Sequence, residues 1–367
     1  MKIKKTIVVG LSGGVDSAVA ALILKKEGYK VIGAFMKNFS DTKNKITGEC
    51  LWAAEKREAQ KVAAKLQIPF VTFDFEKQYK KQVIAPMFKA YESGLTPNPD
   101  VLCNQKIKFP LFWKEAKKLG AGYIAMGHYI TKKENKKTNT FNLLRGKDET
   151  KDQSYFLYEL TQKDLQHTLF PIGNYTKKQV REIAKAHKLP NYNKKSTRGI
   201  CFVGKINLKS YLKTKIKEKP GIILTPEGKE VGKHKGVMFH TIGERLGPRL
   251  GFDIDKKFRN QSGKKWYIID KNKRKNILIA APENHPSSLR KRFIITKINV
   301  INPKEKIPKT VKVRIRHLGK LMSSTLSKSK NNYICTLKKP ISGLAEGQNA
   351  IIYQRRKMLA GGEIRFR

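Results

Sequence analysis

Three short segments of this chain carry residue types that can do chemistry. The first is Ser12-Gly13-Gly14-Val15-Asp16-Ser17. Paired glycines let a backbone approach a ligand and take conformations that a β-carbon forbids. Where a helix starts just beyond them, its free N–H groups and positive end face an anion. A phosphate cradle is the functional reading; a tight turn capped by Asp16 or Ser17 is the plain alternative. The Walker spacing is missing, since no lysine stands before Ser17, and so is Gly-x-Gly-x-x-Gly. The second segment is Asn98-Pro99-Asp100-Val101-Leu102-Cys103-Asn104. In a helix or tight turn, Asp100 three residues before Cys103 sets an acid/base group beside a nucleophile. The third is Gly199-Ile200-Cys201-Phe202-Val203-Gly204, a cysteine at the end of a strand-like run between glycines. Any one of these thiols taken singly reads as inert core; two of them beside a phosphate loop suggest sulfur chemistry.

The elements around these segments must hold them together. Ile7-Val8-Val9-Gly10-Leu11 reads as a buried parallel strand, and Ala18 to Leu24 as the helix that follows the loop. Val31 to Met36, Phe70 to Asp74 and Gly122 to His128 read as further strands, with a helix over Glu49 to Leu66. Repeated strand–helix units imply an α/β domain with helices on both faces of a parallel sheet. Ligands of such sheets bind at the carboxyl ends of the strands, where the loop, Met36 and Gly127-His128 all fall. Near residue 206 the texture changes to short strands between turns, among them Gly221 to Leu224, Trp266 to Asp270 and Asn276 to Ala280. Pro282 to Ser288 reads as a linker. Beyond it Lys309 to Arg316 alternates, with Val311, Val313 and Ile315 on one side and Lys312, Arg314 and Arg316 on the other. The basic side reads equally as a phosphate-binding stripe or a solvated face. The expected organisation is a catalytic domain over 1–205, a small β-rich domain over 206–285 and a C-terminal β-barrel over 286–367.

The chain has 78 Lys and Arg against 29 Asp and Glu, a formal charge of +49 over 367 residues. A polyanionic partner, nucleic acid above all, suits that sign. Lysine, asparagine and isoleucine are abundant throughout, so compositional bias accounts for most of the magnitude. Cys50, Cys103, Cys201 and Cys335 lie far apart, which excludes a CxxC zinc site and a secreted disulfide scaffold. No stretch approaches a membrane span, and a strand begins almost at the first residue, so a reducing cytoplasm is expected.

The loop matches the signature of the PP-loop ATP pyrophosphatases, which adenylate a carbonyl oxygen and release pyrophosphate. Over essentially its full length the chain resembles the bacterial tRNA-specific 2-thiouridylases. The motifs are Gly10 to Ser17, Phe35-Met36-Lys37-Asn38, Thr96 to Asn104, Ile107-Lys108-Phe109, Gly127-His128-Tyr129, Lys151 to Leu157 and Gly199-Ile200-Cys201-Phe202. The resemblance implies a PP-loop nucleotide-binding fold in which Gly10, Leu11, Ser12, Gly13, Gly14, Val15, Asp16 and Ser17 bind ATP. It implies that Ser12 and Ser17 donate to the pyrophosphate, that Asp16 helps hold Mg2+, and that Met36 and Gly127 line the adenine pocket. It further implies that ATP adenylates the 2-carbonyl oxygen of the wobble uridine, and that Cys201 carries a persulfide from a sulfur-relay protein. Cys103 is then the nucleophile and Asp100 its acid/base partner. Two routes stay open, direct attack of the persulfide or release of sulfide by Cys103 with a transient Cys103–Cys201 disulfide. The expected tRNA contacts are Asn98, Pro99 and Asp100 at the target base, Lys151, Asp152 and Gln153, and Arg316-His317, where the family has Arg-Tyr. The family's tRNAs are those for lysine, glutamate and glutamine. Gly243-Glu244-Arg245-Leu246-Gly247-Pro248 also departs from the family pattern of Gln-Arg-Lys-Gly. His128 is expected to shape the nucleotide pocket, and Cys50 and Cys335 to be ordinary thiols. Another PP-loop adenylating enzyme that uses an amine donor, and a non-catalytic RNA-binding protein, are the competing readings.

Overall fold

The computed structural model describes residues 5–41, 50–195, 208–247, 252–255 and 265–366. Cys201 and its glycine-flanked run lie outside them. The first unit runs β1 (Thr6–Gly10), α1 (Val15–Lys26), β2 (Lys30–Lys37), α2 (Leu51–Lys65), β3 (Phe70–Asp74), α3 (Glu76–Tyr79), α4 (Ala85–Glu92), α5 (Pro99–Cys103), α6 (Pro110–Lys118), β4 (Tyr123–Ala125), β5 (Ile130–Asn135), β6 (Thr140–Arg145), α7 (Gln162–His167), β7 (Thr168–Leu169), α8 (Lys177–Ala186) and α9 (Leu208–Lys213). Five strands form one parallel sheet in the order β3-β2-β1-β4-β7. The chain moves outward from β1 to β2 and β3, then returns to the other side of β1 for β4. The carboxyl ends of β1 and β4 therefore flank the crevice where such sheets bind ligands.

Both faces of the sheet are covered. On one, Ala18, Val19, Ala20 and Ala21 of α1 pack without exposure against Ala59 and Val62 of α2 and Val180 and Ala184 of α8. On the other, Val8, Ala34 and Met36 pack against Val101, Cys103, Ile107 and Phe112. α1 is built from strong helix formers, carries Asp16 in its first turn and Lys25 and Lys26 in its last, and ends at Gly28 with φ +83°. Each of those features favours a helix over this span and a stop at its end.

The middle unit comprises β8 (Gly221–Leu224), β9 (Glu230–His234), β10 (Asp253–Ile254), β11 (Trp266–Asn272) and β12 (Ile277–Pro282), in the order β10-β9-β8-β12-β11 around Ile223, Val231, Ile268 and Leu278. The last unit comprises β13 (Arg290–Val300), β14 (Thr310–Arg314), β15 (Met322–Ser329), β16 (Asn332–Ile341), β17 (Asn349–Gln354) and β18 (Lys357–Arg365). Their order β13-β16-β15-β14-β17-β18 is closed by a β13–β18 pairing, giving a six-stranded barrel filled by Phe293, Val311, Val313, Leu326, Cys335 and Ile352.

Three features differ from the expectation. β4 ends at Ala125 rather than at His128. Beyond it, β5 and β6 form a hairpin that leaves the parallel sheet and joins the barrel, with Leu144 opposite Lys357 and Leu143 opposite Met358. Arg314 is only 4% exposed, so the basic side of β14 is neither a continuous phosphate stripe nor a solvated face. Asp152 of the first unit covers it there.

Candidate active site

The loop after β1 is shaped from within. Leu11 N–H donates to the Ala34 carbonyl at 2.8 Å, which ties the loop to β2. Ser17 Oγ donates to the Gly14 carbonyl at 3.1 Å and accepts from Ser12 N–H at 3.2 Å. Gly13 has φ +74°, and a Cβ there would meet the Glu55 carbonyl at 2.5 Å. Gly14 is the N-cap of α1 and no side chain caps it. The amides of the first turn are thus available for an anion at the mouth of the crevice. Leu11 and Val15 are buried, so they present backbone rather than side chain. Gly127 approaches from β4: a Cβ on it would lie 2.7 Å from Ser17 N. Met36 and Met126 cover Gly10, whose Cβ would come within 3.4 Å of the Met36 methyl and 2.8 Å of the Met126 sulfur. The structure therefore brings together Gly10 to Ser17, Met36 and Gly127, the ten residues expected to hold a nucleotide.

Asp16 is not alone. Its Oδ1 accepts from Tyr129 OH at 2.8 Å and from Lys177 Nζ at 2.5 Å. Burial, and next the Asp16 carboxylate, push the Tyr129 phenol well above its usual range, so it stays a donor. On the outer side of the loop, Asn191 Nδ2 and Lys194 Nζ donate to the Gly13 carbonyl at 3.0 and 3.3 Å, and Lys194 also pairs with Glu55 at 2.7 Å. Tyr129 was visible as part of a motif without a role. Lys177, Asn191 and Lys194 carried no signal, because their contacts lie more than a hundred residues away in the chain. His128 is 9% exposed and stacks on Phe109 at 6.0 Å, and burial holds its pKa well down. It is a neutral residue packed among Phe109 and Phe170.

Cys103 sits at the end of α5. Asn98 caps this helix by accepting from Val101 N–H at 3.3 Å, and Pro99 supplies its first turn. The N-cap asparagine and a proline at the first helical position explain why a helix starts here. Asp100 and Cys103 are i and i+3 on it, hence neighbours on one face. Asp100 is half-buried and Cys103 fully buried, in the same cluster as Met36. A π-helical turn, Asn104–Lys108, follows at once, and Asn104 Nδ2 donates to the Phe156 carbonyl at 3.0 Å. Cys50 and Cys335 lack such surroundings. Cys50 Sγ donates to the Ser40 carbonyl at 3.4 Å. Burial in the barrel pushes the Cys335 thiol up to about 12, which leaves it protonated and inert.

The remaining expected contacts meet where the catalytic unit joins the barrel. Tyr155 OH donates to the carbonyls of Ile315 and Asn349, both at 3.1 Å, and also interacts with the Asn98 side chain. His317, half-buried, lies 4.4 Å from the Phe156 ring. Burial lowers its pKa, so the ring is neutral. Arg316 donates to the Gly343 carbonyl at 2.6 Å and abuts Gly243, at the loop that departs from the family pattern. In that loop Glu244 forms an ion pair with Lys209 at 2.5 Å and lies 3.4 Å from His240 Nδ1. Lys151 is exposed and Gln153 exchanges hydrogen bonds with the Tyr129 backbone. Asp152 between them points inward. It has no exposure, and accepts from Gly146 N–H, Ser154 N–H, Ser154 Oγ and Arg314 at 2.6 Å. Asn98, Arg316 and His317 thus gather around Tyr155 and Phe156, while the Asp152 carboxylate serves the seam.

Comparison with known proteins agrees with this layout. The family model described as tRNA methyl transferase HUP domain matches residues 5–205, the tRNA methyl transferase PRC-barrel domain 209–282, and the aminomethyltransferase beta-barrel domain 290–364. The tRNA-specific 2-thiouridylase MnmA of Christiangramia forsetii is 38% identical over 98% of this chain and 100% of its own length. That of Blochmanniella floridana is 41% identical over 98% of this chain and 96% of its own. The protein named tRNA-specific 2-thiouridylase MnmA 1 in Geobacillus kaustophilus is 41% identical over 95% and 92%. With this identity over nearly the whole length, and the loop and cysteine helix in place, the chain belongs to the tRNA-specific 2-thiouridylase MnmA family.

Proposed function

We propose that this chain is an ATP-dependent tRNA-uridine 2-sulfurtransferase that makes 2-thiouridine at the wobble position. The observation that carries the reading is full-length kinship with proteins bearing that name. The 1–205 unit does the chemistry, and the 206–285 and 286–367 units help hold tRNA.

The difficulty of the reaction is that a uracil carbonyl oxygen leaves badly. The O2 atom attacks the α-phosphorus of ATP, the bond to the β-phosphate oxygen breaks, and pyrophosphate departs with the electron pair. The loop amides, Ser12 and Ser17 hold the pyrophosphate, and Met36 and Gly127 border the adenine. Mg2+ bound with ATP would neutralise phosphate charge, and the Asp16 carboxylate, at the mouth of the same loop, would serve as a ligand to it. The terminal sulfur of a Cys201 persulfide, loaded by a sulfur-relay protein, then takes the place of AMP at C2. In one order it attacks C2 first, and the Cys103 thiolate attacks the Cys201 sulfur to free the thiouridine. In the other, Cys103 attacks first and expels sulfide, which attacks C2. Both orders end with a Cys103–Cys201 disulfide that an external dithiol reopens. Asp100, one helical turn from Cys103, handles the proton at the thiol. Asn98-Pro99-Asp100 meets the extruded base, and Lys151, Gln153, Arg316 and His317 meet the tRNA, of the lysine, glutamate and glutamine kinds. A reducing cytoplasm suits a catalytic disulfide, and among the described residues no helix is long and apolar enough to cross a membrane.

Mass spectrometry of tRNA from a strain whose only copy is Cys201→Ala tests the reading. 2-Thiouridine is expected to vanish. Normal levels would sink the assignment, as would failure of the purified protein to form AMP and pyrophosphate from ATP with tRNA.

A further inference from the structure

The cysteine helix α5 is fastened to two supports of different kinds. Val101 and Cys103 share an apolar cluster with Val8, Ala34 and Met36 of the parallel sheet. Apolar contact is non-directional, so it buries the helix without fixing its rotation. The directed contacts go elsewhere. Asn104 Nδ2, one residue past the thiol, donates to the Phe156 carbonyl at 3.0 Å, and Gln105 Nε2 donates to the Glu159 carboxylate at 3.0 Å. At the other end of α5 the Asn98 side chain meets Tyr155 OH. All three partners lie within residues 155–159.

That segment is itself mounted on the barrel. It follows from a 3-10 turn, Ser154–Phe156, whose Tyr155 OH donates to the Ile315 and Asn349 carbonyls. Asn299 Nδ2 of β13 donates to the Tyr158 carbonyl at 2.6 Å, and Asn349 Nδ2 of β17 donates to Tyr158 OH at 2.8 Å. A Cβ on Gly361 of β18 would lie 2.4 Å from the Tyr158 ring, so ring and strand are in close contact. The phosphate loop, by contrast, is tied to β2 through Leu11 N–H. The loop takes its position from the parallel sheet, and the thiol takes its direction from the barrel. Asn104 is also a poor stabiliser where it stands. It is 3% exposed, and its Oδ1 finds no partner among the described residues. A leucine of similar size would fill the space without leaving a buried acceptor unpaired. The one hydrogen bond that Asn104 Nδ2 makes therefore serves direction rather than stability.

We infer that Asn104 is a positioning residue for sulfur transfer: it aims Cys103 from the barrel-mounted segment, independently of the loop that activates the uridine. This rests on the reading of Cys103 as the nucleophile. The barrel is also where Arg316-His317 are expected to meet tRNA, and the Phe156 ring lies 4.4 Å from His317. Thiol and substrate are thus referred to the same support. The two halves of the reaction yield different products. Adenylation releases pyrophosphate and makes no use of Cys103, whereas free 2-thiouridine requires the Cys103 thiolate in either order of attack. A misaimed thiol slows only the second half.

The test is a single-turnover, rapid-quench measurement on the full-length protein, loaded with persulfide by inorganic polysulfide and mixed with Mg-ATP and tRNA. Pyrophosphate and 2-thiouridine are read from the same samples. Asn104→Leu is expected to slow 2-thiouridine formation about tenfold or more. Pyrophosphate release and tRNA affinity should stay within about twofold. Gln105→Met breaks the neighbouring tie at a half-buried position, should show a smaller loss of the same kind, and decides the matter if Asn104→Leu does not fold. An unchanged 2-thiouridine rate in these variants overturns the inference. So does an equal fall in pyrophosphate release, which marks a general support of the fold. Cys103→Ser, run alongside, separates the two claims: full 2-thiouridine formation there means that the nucleophile itself is misread, whatever the Asn104 variant does.

Discussion

Among the described residues, one pair of carboxylate–cation contacts is similar in length and opposite in character. Asp152–Arg314, at 2.6 Å, is 0% and 5% exposed by side chain and spans the seam between the catalytic unit and the barrel. Asp16–Lys177, at 2.5 Å, is 32% and 14% exposed and stands at the nucleotide loop. The seam pair is enclosed by further donors: Asp152 also takes two backbone amides and a serine hydroxyl. Around it Ser154 Oγ and Tyr353 OH meet at 2.8 Å, and Tyr158 OH accepts from Asn349 at 2.8 Å. The loop pair has one extra donor, Tyr129. A buried charge whose every lone pair is occupied cannot exchange partners; a half-exposed one can. Burial, not the identity of the groups, separates a fixed joint from a replaceable contact.

Breaking the seam pair is expected to have the largest effect. Asp152→Ala strands the Arg314 guanidinium in the interior, at a cost of about 3–5 kcal/mol. Urea denaturation followed by tryptophan fluorescence would read the loss. Replacing both partners together, Asp152→Leu with Arg314→Met, removes the stranded charge and should recover much of the stability. A loss below about 1 kcal/mol in the single variant would mean that the seam is open to water and the contrast between the pairs is false.

The loop pair is expected to respond the other way round. Asp16→Asn keeps the side-chain shape and removes the charge. A part-exposed pair is worth about 1 kcal/mol, so the denaturation midpoint should move far less than for Asp152→Ala while tRNA-dependent AMP formation collapses. A destabilisation as large as that of Asp152→Ala would make this pair a second structural joint. Undiminished AMP formation would remove Asp16 from the site.

How far these pairs were legible differs for a physical reason. β1, α1, β2 and β3 announced themselves because strand and helix periodicity are local, and Ser12 to Ser17 is a contiguous motif. Val311 and Val313 face the barrel interior as their alternation implied. Alternation also assigned Arg314 to the outer side, correctly, but it cannot say what covers that side. Here Asp152 does, 162 residues earlier in the chain. The β5–β6 hairpin escaped notice for the same reason: its partner strand β18 is more than two hundred residues away. Lys177 was one lysine in a lysine-rich chain until the fold set it against Asp16. Motifs revealed the candidate site residues; the groups that hold those motifs in place are tertiary and were silent. The Cys201 run, clear as a motif, lies outside the described residues.

The smallest effect sharpens the contrast within a single segment. Lys151 is exposed and adjoins Asp152, which has no exposure at all. Lys151→Ala removes no buried contact, so stability should stay within about 0.5 kcal/mol. If its ammonium meets a tRNA phosphate, one counterion fewer is released on binding. The slope of log affinity against log salt should then become shallower by about one. Filter binding of tRNA across a series of salt concentrations measures it. An unchanged slope with weaker affinity would move Lys151 from a phosphate to a base edge, and no change in either would take it off the tRNA. Set against Asp152→Ala, the outcome tests whether adjacent residues divide the work as their burial implies: one joins the domains, and the other faces the nucleic acid.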